Sequence, residues 1–260
     1  MAVLSAVVIY KLHAQDLGRA LDRVASQRDV SRETAYYSAK IENVRSIENF
    51  LADDRLFAFA LKAFGLEEMR YAKAFFRKLL TEGIDSPKAF ANKLLDQRYR
   101  EFAETFNFER YGSATTTFTR ARQGVVDRYI RQSLEENLGS QNEGARLALY
   151  FQRKAPTITN AYSILADQAL LAVVQTALGL PPTISALDID RQAALIERRL
   201  RIDDLKDPVK LQRFIERFLV LWDVNNPPEQ VNTALLPVRS LGSMFSPELL
   251  FRLQTLQIVR

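Results

Sequence analysis

Cysteine is absent from the 260 residues, and histidine occurs once, as His13. The first absence excludes a disulfide framework, a thiolate zinc site and a cysteine nucleophile. The second excludes chemistry built on several imidazoles. Glycine and proline are scarce, nine of each, which points to helices with few interruptions, because these residues are the strongest local breakers. No apolar run reaches the ~18 residues of a membrane span without a charge or a proline. The apolar opening of residues 1–10 has no basic residue ahead of it and no small-residue cleavage site after Lys11. It does not read as a signal peptide, and the chain is expected in the cytoplasm. Gly-rich phosphate loops, Gly-x-Ser-x-Gly and His-Glu-x-x-His are missing as well, which argues against the familiar nucleotide enzymes, serine hydrolases and zinc proteases.

Strong charge of one sign is also lacking. Lys and Arg number 36 against 31 Asp and Glu, and residues 1–111 hold 18 basic and 16 acidic groups, so the small excess is spread along the chain. A polyanion site concentrates its basic residues in a stripe with aromatics between them, so no nucleic-acid partner is expected. The densest basic run, Arg198-Arg199-Leu200-Arg201, reads as a solvated helix face. What the chain does have is length enough to bury a self-sufficient core.

Compared with itself, the chain shows a duplication. Residues 36–66 and 150–180 share 10 identities in 31 ungapped positions, against about 2 from background usage. Tyr36 falls on Tyr150, Lys40 on Lys154, Leu51-Ala52-Asp53 on Leu165-Ala166-Asp167, and Gly65-Leu66 on Gly179-Leu180. A further match pairs Ser86-Pro87 with Asp207-Pro208, each read as a helix N-cap followed by proline at the first helical position. The expected fold is therefore all-α and multihelical: an N-terminal helical segment (1–30), unit one (31–111), a linker helix (112–141), unit two (142–224) and a loop-rich extension (225–260).

Within each unit an aspartate and a glycine frame the central helix. Asp53 and Asp167 are expected as N-caps, and Gly65 and Gly179 as the left-handed residues that close it. One helix is expected after Pro87, carrying Phe90, Leu94, Tyr99, Phe102 and Phe106, and another after Pro208, carrying Leu211, Phe214, Ile215, Phe218, Leu219 and Trp222. The linker stripe is Val125, Val126, Tyr129, Ile130, Leu134 and Leu138, closed by Gly139. Ser246-Pro247 starts a C-terminal amphipathic helix whose Leu249, Leu250, Leu253 and Leu256 share one face. Such a face needs an intramolecular groove or another protein. The plainer reading is docking on the chain's own core, against Val3-Leu4-Val7-Val8; the other makes these leucines a partner-binding surface.

Candidate chemistry is thin. Asp188 and Asp190, Asp53-Asp54 and Asp203-Asp204 could present paired carboxylates to a cation, but carboxylates at helix starts serve more simply as caps and dipole partners. No metal is expected. His13 lies on the first predicted helix beside the stripe Leu17, Leu21 and Val24, without the second group that general acid–base catalysis needs to orient it. Lys40 and Lys154 could mark paired anion sites; snorkelling beside Tyr36 and Tyr150 accounts for them equally well. Catalytic residues and cofactors are accordingly expected to be absent.

The phrases that repeat also carry a resemblance. Glu33-Thr34-Ala35-Tyr36-Tyr37, Phe50-Leu51-Ala52-Asp53-Asp54-Arg55-Leu56, Ala63-Phe64-Gly65-Leu66 and Tyr150-Phe151-Gln152-Arg153-Lys154-Ala155-Pro156 resemble the family called domain of unknown function 1217, over nearly the whole chain. The resemblance implies an all-helical alphaproteobacterial protein whose gene often lies among flagellar genes. It implies no catalytic residues. The expected function is thus a non-catalytic protein-interaction protein in flagellar assembly or function, with a flagellar component as partner. Homo-oligomerisation and export through the flagellar apparatus stay open. The alternative is a sensor module binding a small molecule or anion between the two units.

Overall fold

The computed structural model describes residues 4–227, and among them every regular element is a helix. The first expected helix is in fact two, α1 (Ala6–Ala14) and α2 (Leu17–Ala25). Asp16 between them leaves helical geometry (φ −135°, ψ 70°), so that its carboxylate accepts the Arg19 N–H. An aspartate that caps the second helix in this way ends the first. α3 (Arg28–Ile41) and α4 (Ile47–Ala52) follow.

At Asp53 the chain turns a corner. The carboxylate accepts the N–H groups of Arg55 and Leu56 and starts α5 (Asp54–Ala63). Gly65, at φ +68°, closes that helix: its N–H donates to the Lys62 carbonyl, and the Leu66 N–H donates to that of Leu61. The arrangement satisfies carbonyls that a helix end leaves orphaned and uses a left-handed residue, which glycine adopts without a Cβ clash.

α6 (Lys73–Glu82) is followed by a departure from expectation. Ser86-Pro87 lies in a turn, and the single helix expected there is broken into α7 (Phe90–Lys93) and α8 (Gln97–Thr105). Asp96 causes the break, because its carboxylate accepts the Arg98 N–H and caps α8. Phe102 is buried on α8, Phe106 is buried just after it, and Leu95 in the break is exposed. After α9 (Phe108–Tyr111) comes α10 (Gln123–Gly139), with its expected stripe buried save for the half-buried Ile130.

α11 (Glu143–Lys154) and α12 (Ala161–Leu165) lead to the second corner. Asp167 accepts the N–H groups of Ala169 and Leu170 to start α13 (Gln168–Leu178), and Gly179 at φ +62° closes it, with the Leu180 N–H donating to the Gln175 carbonyl. In both corners a tyrosine 17 residues upstream, Tyr36 or Tyr150, donates its hydroxyl to the free oxygen of the capping aspartate. Beyond the corners the segments diverge. α14 (Ile189–Glu197) is followed by α15 (Pro208–Asn225), one 18-residue helix capped by Asp207 as expected, where the first segment has the broken pair α7 and α8.

α10, read as a linker, is a central packing element. It lies against α5 on one side and α11 on the other, with α2 and α3 also on it. Tyr129 stacks on Phe59 with ring centroids 3.9 Å apart, and Phe59 stacks on Tyr37 at 4.4 Å, so aromatic area is buried continuously from α10 through α5 to α3. Phe50, Phe57, Phe76, Phe102 and Phe106 form a second aromatic cluster. On the far side α15 packs on α11 and α13, and α1 packs on α11 and α15.

Candidate functional site

Three helices bring charged side chains together where apolar packing gives out: α8 supplies Glu101, α10 supplies Asp127, Arg128, Arg131 and Glu135, and α11 supplies Arg153 and Lys154. Glu135 lies deepest, with its side chain 1% exposed. Arg153 grips it with two parallel bonds, Nε at 2.8 Å and an Nη at 2.7 Å, and Arg131 adds a third from Nε at 3.2 Å. Arg131 also donates to the Leu149 carbonyl. Glu101 is shared in the same way, between Lys154 Nζ at 2.6 Å and Arg128 Nη1 at 3.0 Å.

Burial sets the electrostatics. It pushes the Glu101 carboxyl up, but the charges and hydrogen bonds of Lys154 and Arg128 outweigh it and hold the group below its ordinary value. Burial likewise pushes Arg153 down, and Glu135 more than restores it. Arg131 differs. Burial lowers it, its single bond to Glu135 does not compensate, and the neighbouring Arg153 lowers it further. Two cations on one carboxylate leave the second under-neutralised.

These groups wall an open recess of about 470 Å3, lined by Glu101, Asp127, Arg128, Arg131, Arg153, Lys154 and Thr157. A second recess of about 390 Å3 adjoins it through Glu101, Lys154 and Thr157 and reaches Arg98, Ser163 and Asp167. Arg98 is held by Asp96 and by the Gly65 carbonyl, so the seam between the two corners is itself polar.

Residues singled out in the sequence are mostly elsewhere. His13 Nδ1 bonds the Ile9 carbonyl of its own helix. Asp188 caps α14 by accepting the Arg191 N–H, Asp190 accepts the Tyr162 hydroxyl, and Asp203 and Asp204 pair with Lys206 and Lys210. Among the described residues no group of three or more His, Asp or Glu is placed to hold a metal. Of the two matched lysines, Lys40 lies over the Tyr36 ring, the snorkelling alternative, but Lys154 pairs with Glu101 and leaves the ring of Tyr150 to Arg153. Leu249, Leu250, Leu253 and Leu256 lie outside the described residues. The cluster of Arg128, Arg131, Glu135 and Arg153 was not singled out. The Arg131 and Glu135 spacing of four residues was the available signal, but nothing local links it to Arg153.

Comparison with known proteins adds a family. A family model described as protein of unknown function (DUF1217) matches residues 63–211. The chain is similar to a crystal structure of a protein from Agrobacterium tumefaciens, with 50% identity, 85% of this chain and 94% of that chain covered, and a TM-score of 0.80. No curated protein gives a significant match.

Proposed function

The chain belongs to the DUF1217 family of proteins of unknown function, and from that premise we propose that it is a non-catalytic, cytoplasmic protein-interaction component of bacterial flagellar assembly or function. The observation that carries the interaction reading is an apolar face that the described residues leave uncovered. Leu4, Val8 and Leu12 recur at every fourth residue on and just before α1, and all three are about half exposed or more; Val220 and Val224 do the same on α15. The two helices are antiparallel neighbours. The Asp223 carboxylate accepts the N–H groups of Ala6 and Val7, and Lys11 pairs with Glu216. Apolar residues in register on paired helices fit the groove-and-helix mode of protein recognition.

The non-catalytic part is supported by the structural work already done by His13, Asp188 and Asp53, each of which bonds its own helix or the next. The flagellar part rests on the resemblance drawn from the sequence. No helix among the described residues is long and apolar enough to cross a membrane.

The test is complementation. A deletion strain should lose normal motility and regain it with the wild-type gene. Leu12→Glu with Val224→Glu should fail to restore it and fail to retain a flagellar component identified on a tagged copy. Exposed sites away from packing usually change stability by only about 0.5 kcal/mol, so the protein should remain folded and abundant. Full motility with the double variant would overturn the assignment of this face; full motility of the deletion strain would overturn the flagellar role.

A further inference from the structure

We propose that the recess between α8, α10 and α11 is a binding site for a phosphate-type oxyanion, carried free or as the phosphomonoester group of a small molecule. Its walls hold four cations, Arg128, Arg131, Arg153 and Lys154, against two carboxylates, Glu101 and Asp127. Counting Glu135 behind Arg153 still leaves an excess positive charge. The carboxylates are also spoken for: Asp127 accepts from Gln123, Glu101 is divided between two cations, and Glu135 between two guanidinium groups. Guanidinium groups engaged on one edge keep further N–H donors, and planar N–H forks match tetrahedral oxyanions.

Two features make this a built site and not a patch of surface charge. The side chains of Lys154 and Arg131 are only 12% and 13% exposed, so their positions are fixed by packing before any ligand arrives, and little ordering entropy opposes binding. The recess, at about 470 Å3, is also in the range of small-molecule sites, roughly 300 to 1,000 Å3. It exceeds the needs of a bare phosphate, which is why a phosphomonoester belongs in the same class. This site is independent of the apolar face on α1 and α15.

Calorimetric titration of the full chain with inorganic phosphate, at constant ionic strength in chloride, tests it, alongside thermal melts under the same conditions. Wild-type protein should bind saturably. Lys154→Gln and Arg128→Gln should each weaken binding by about tenfold, the worth of one charge-assisted hydrogen bond. Glu101→Gln should tighten it, because the change releases Arg128 and Lys154 from a competing carboxylate. The opposite sign is decisive. Phosphate strengthens most folded proteins by exclusion from their surfaces, and that effect would raise all four melting temperatures alike; such uniformity, with no heat of saturable binding, would overturn the proposal. Arg128, the more exposed cation at 40%, supplies a variant that folds if Lys154→Gln does not. Glycerol 3-phosphate separates the two sources: tighter binding than inorganic phosphate assigns a phosphomonoester, and equal or weaker binding assigns the free ion.

Discussion

Glu135 replaces the water it has lost with two guanidinium groups, and the consequence can be measured at a single residue. Its side chain is 1% exposed and makes three hydrogen bonds to Arg131 and Arg153. Exchanging such a cluster for apolar residues can be neutral, whereas removing one member strands its partners. Glu135→Ala leaves two like charges buried together, so urea unfolding should show a loss of about 3 to 5 kcal/mol. A loss under about 1 kcal/mol would show that water or side-chain rearrangement rehydrates the arginines. Glu135→Gln should cost less, because the amide oxygen still accepts hydrogen bonds. Along the chain, Arg131 and Glu135 look like an ordinary surface pair four residues apart. Their burial is decided by α11, which brings Arg153 from 18 residues beyond Glu135.

Among the helices, the two corners are where sequence and structure correspond most closely. Asp53 and Asp167 cap, Gly65 and Gly179 close, and Tyr36 on α3 and Tyr150 on α11 tie each cap to the helix before the one it follows. The caps and closures are legible because they depend on residues a few positions apart; the tyrosine tie reaches 17 residues and is not. Gly65→Ala and Gly179→Ala should each cost about 1 to 2 kcal/mol, the penalty of a Cβ at positive φ, read as a shift in unfolding midpoint. The costs should be alike, since an added Cβ meets nothing within 4 Å at Gly179 and only ordinary contacts, 3.6 Å or longer, at Gly65. A large cost at one site alone would mean that the corners differ in packing. The Ser86-Pro87 segment shows the limit of the same logic. A cap-and-proline pair marks a helix start at Asp207-Pro208 but a turn at Ser86-Pro87, where the competing cap at Asp96 breaks the helix expected to follow.

For the whole molecule, the role of the C-terminal leucines is separable by cutting the chain before Ser246. If Leu249, Leu250, Leu253 and Leu256 belong to this chain's core, the truncated protein should lose several kcal/mol in a denaturant titration, because each buried leucine contributes about 1.5 to 3 kcal/mol. If they bind a partner, stability should hold while co-purification of the flagellar component fails. A truncation that alters neither removes this segment from both roles. The helical class, the paired corners, the amphipathic stripe of α10 and the family are readable along the chain, because each is written in short-range periodicity or in phrases that recur within it. Packing in three dimensions makes α10 a central support, turns Lys154 to Glu101 while its counterpart Lys40 rides over Tyr36, and gathers four cations from α10 and α11 around one recess. The physical reason is that charge counted along a chain averages over neighbours in sequence, whereas the field in a recess sums over neighbours in space, weighted by burial.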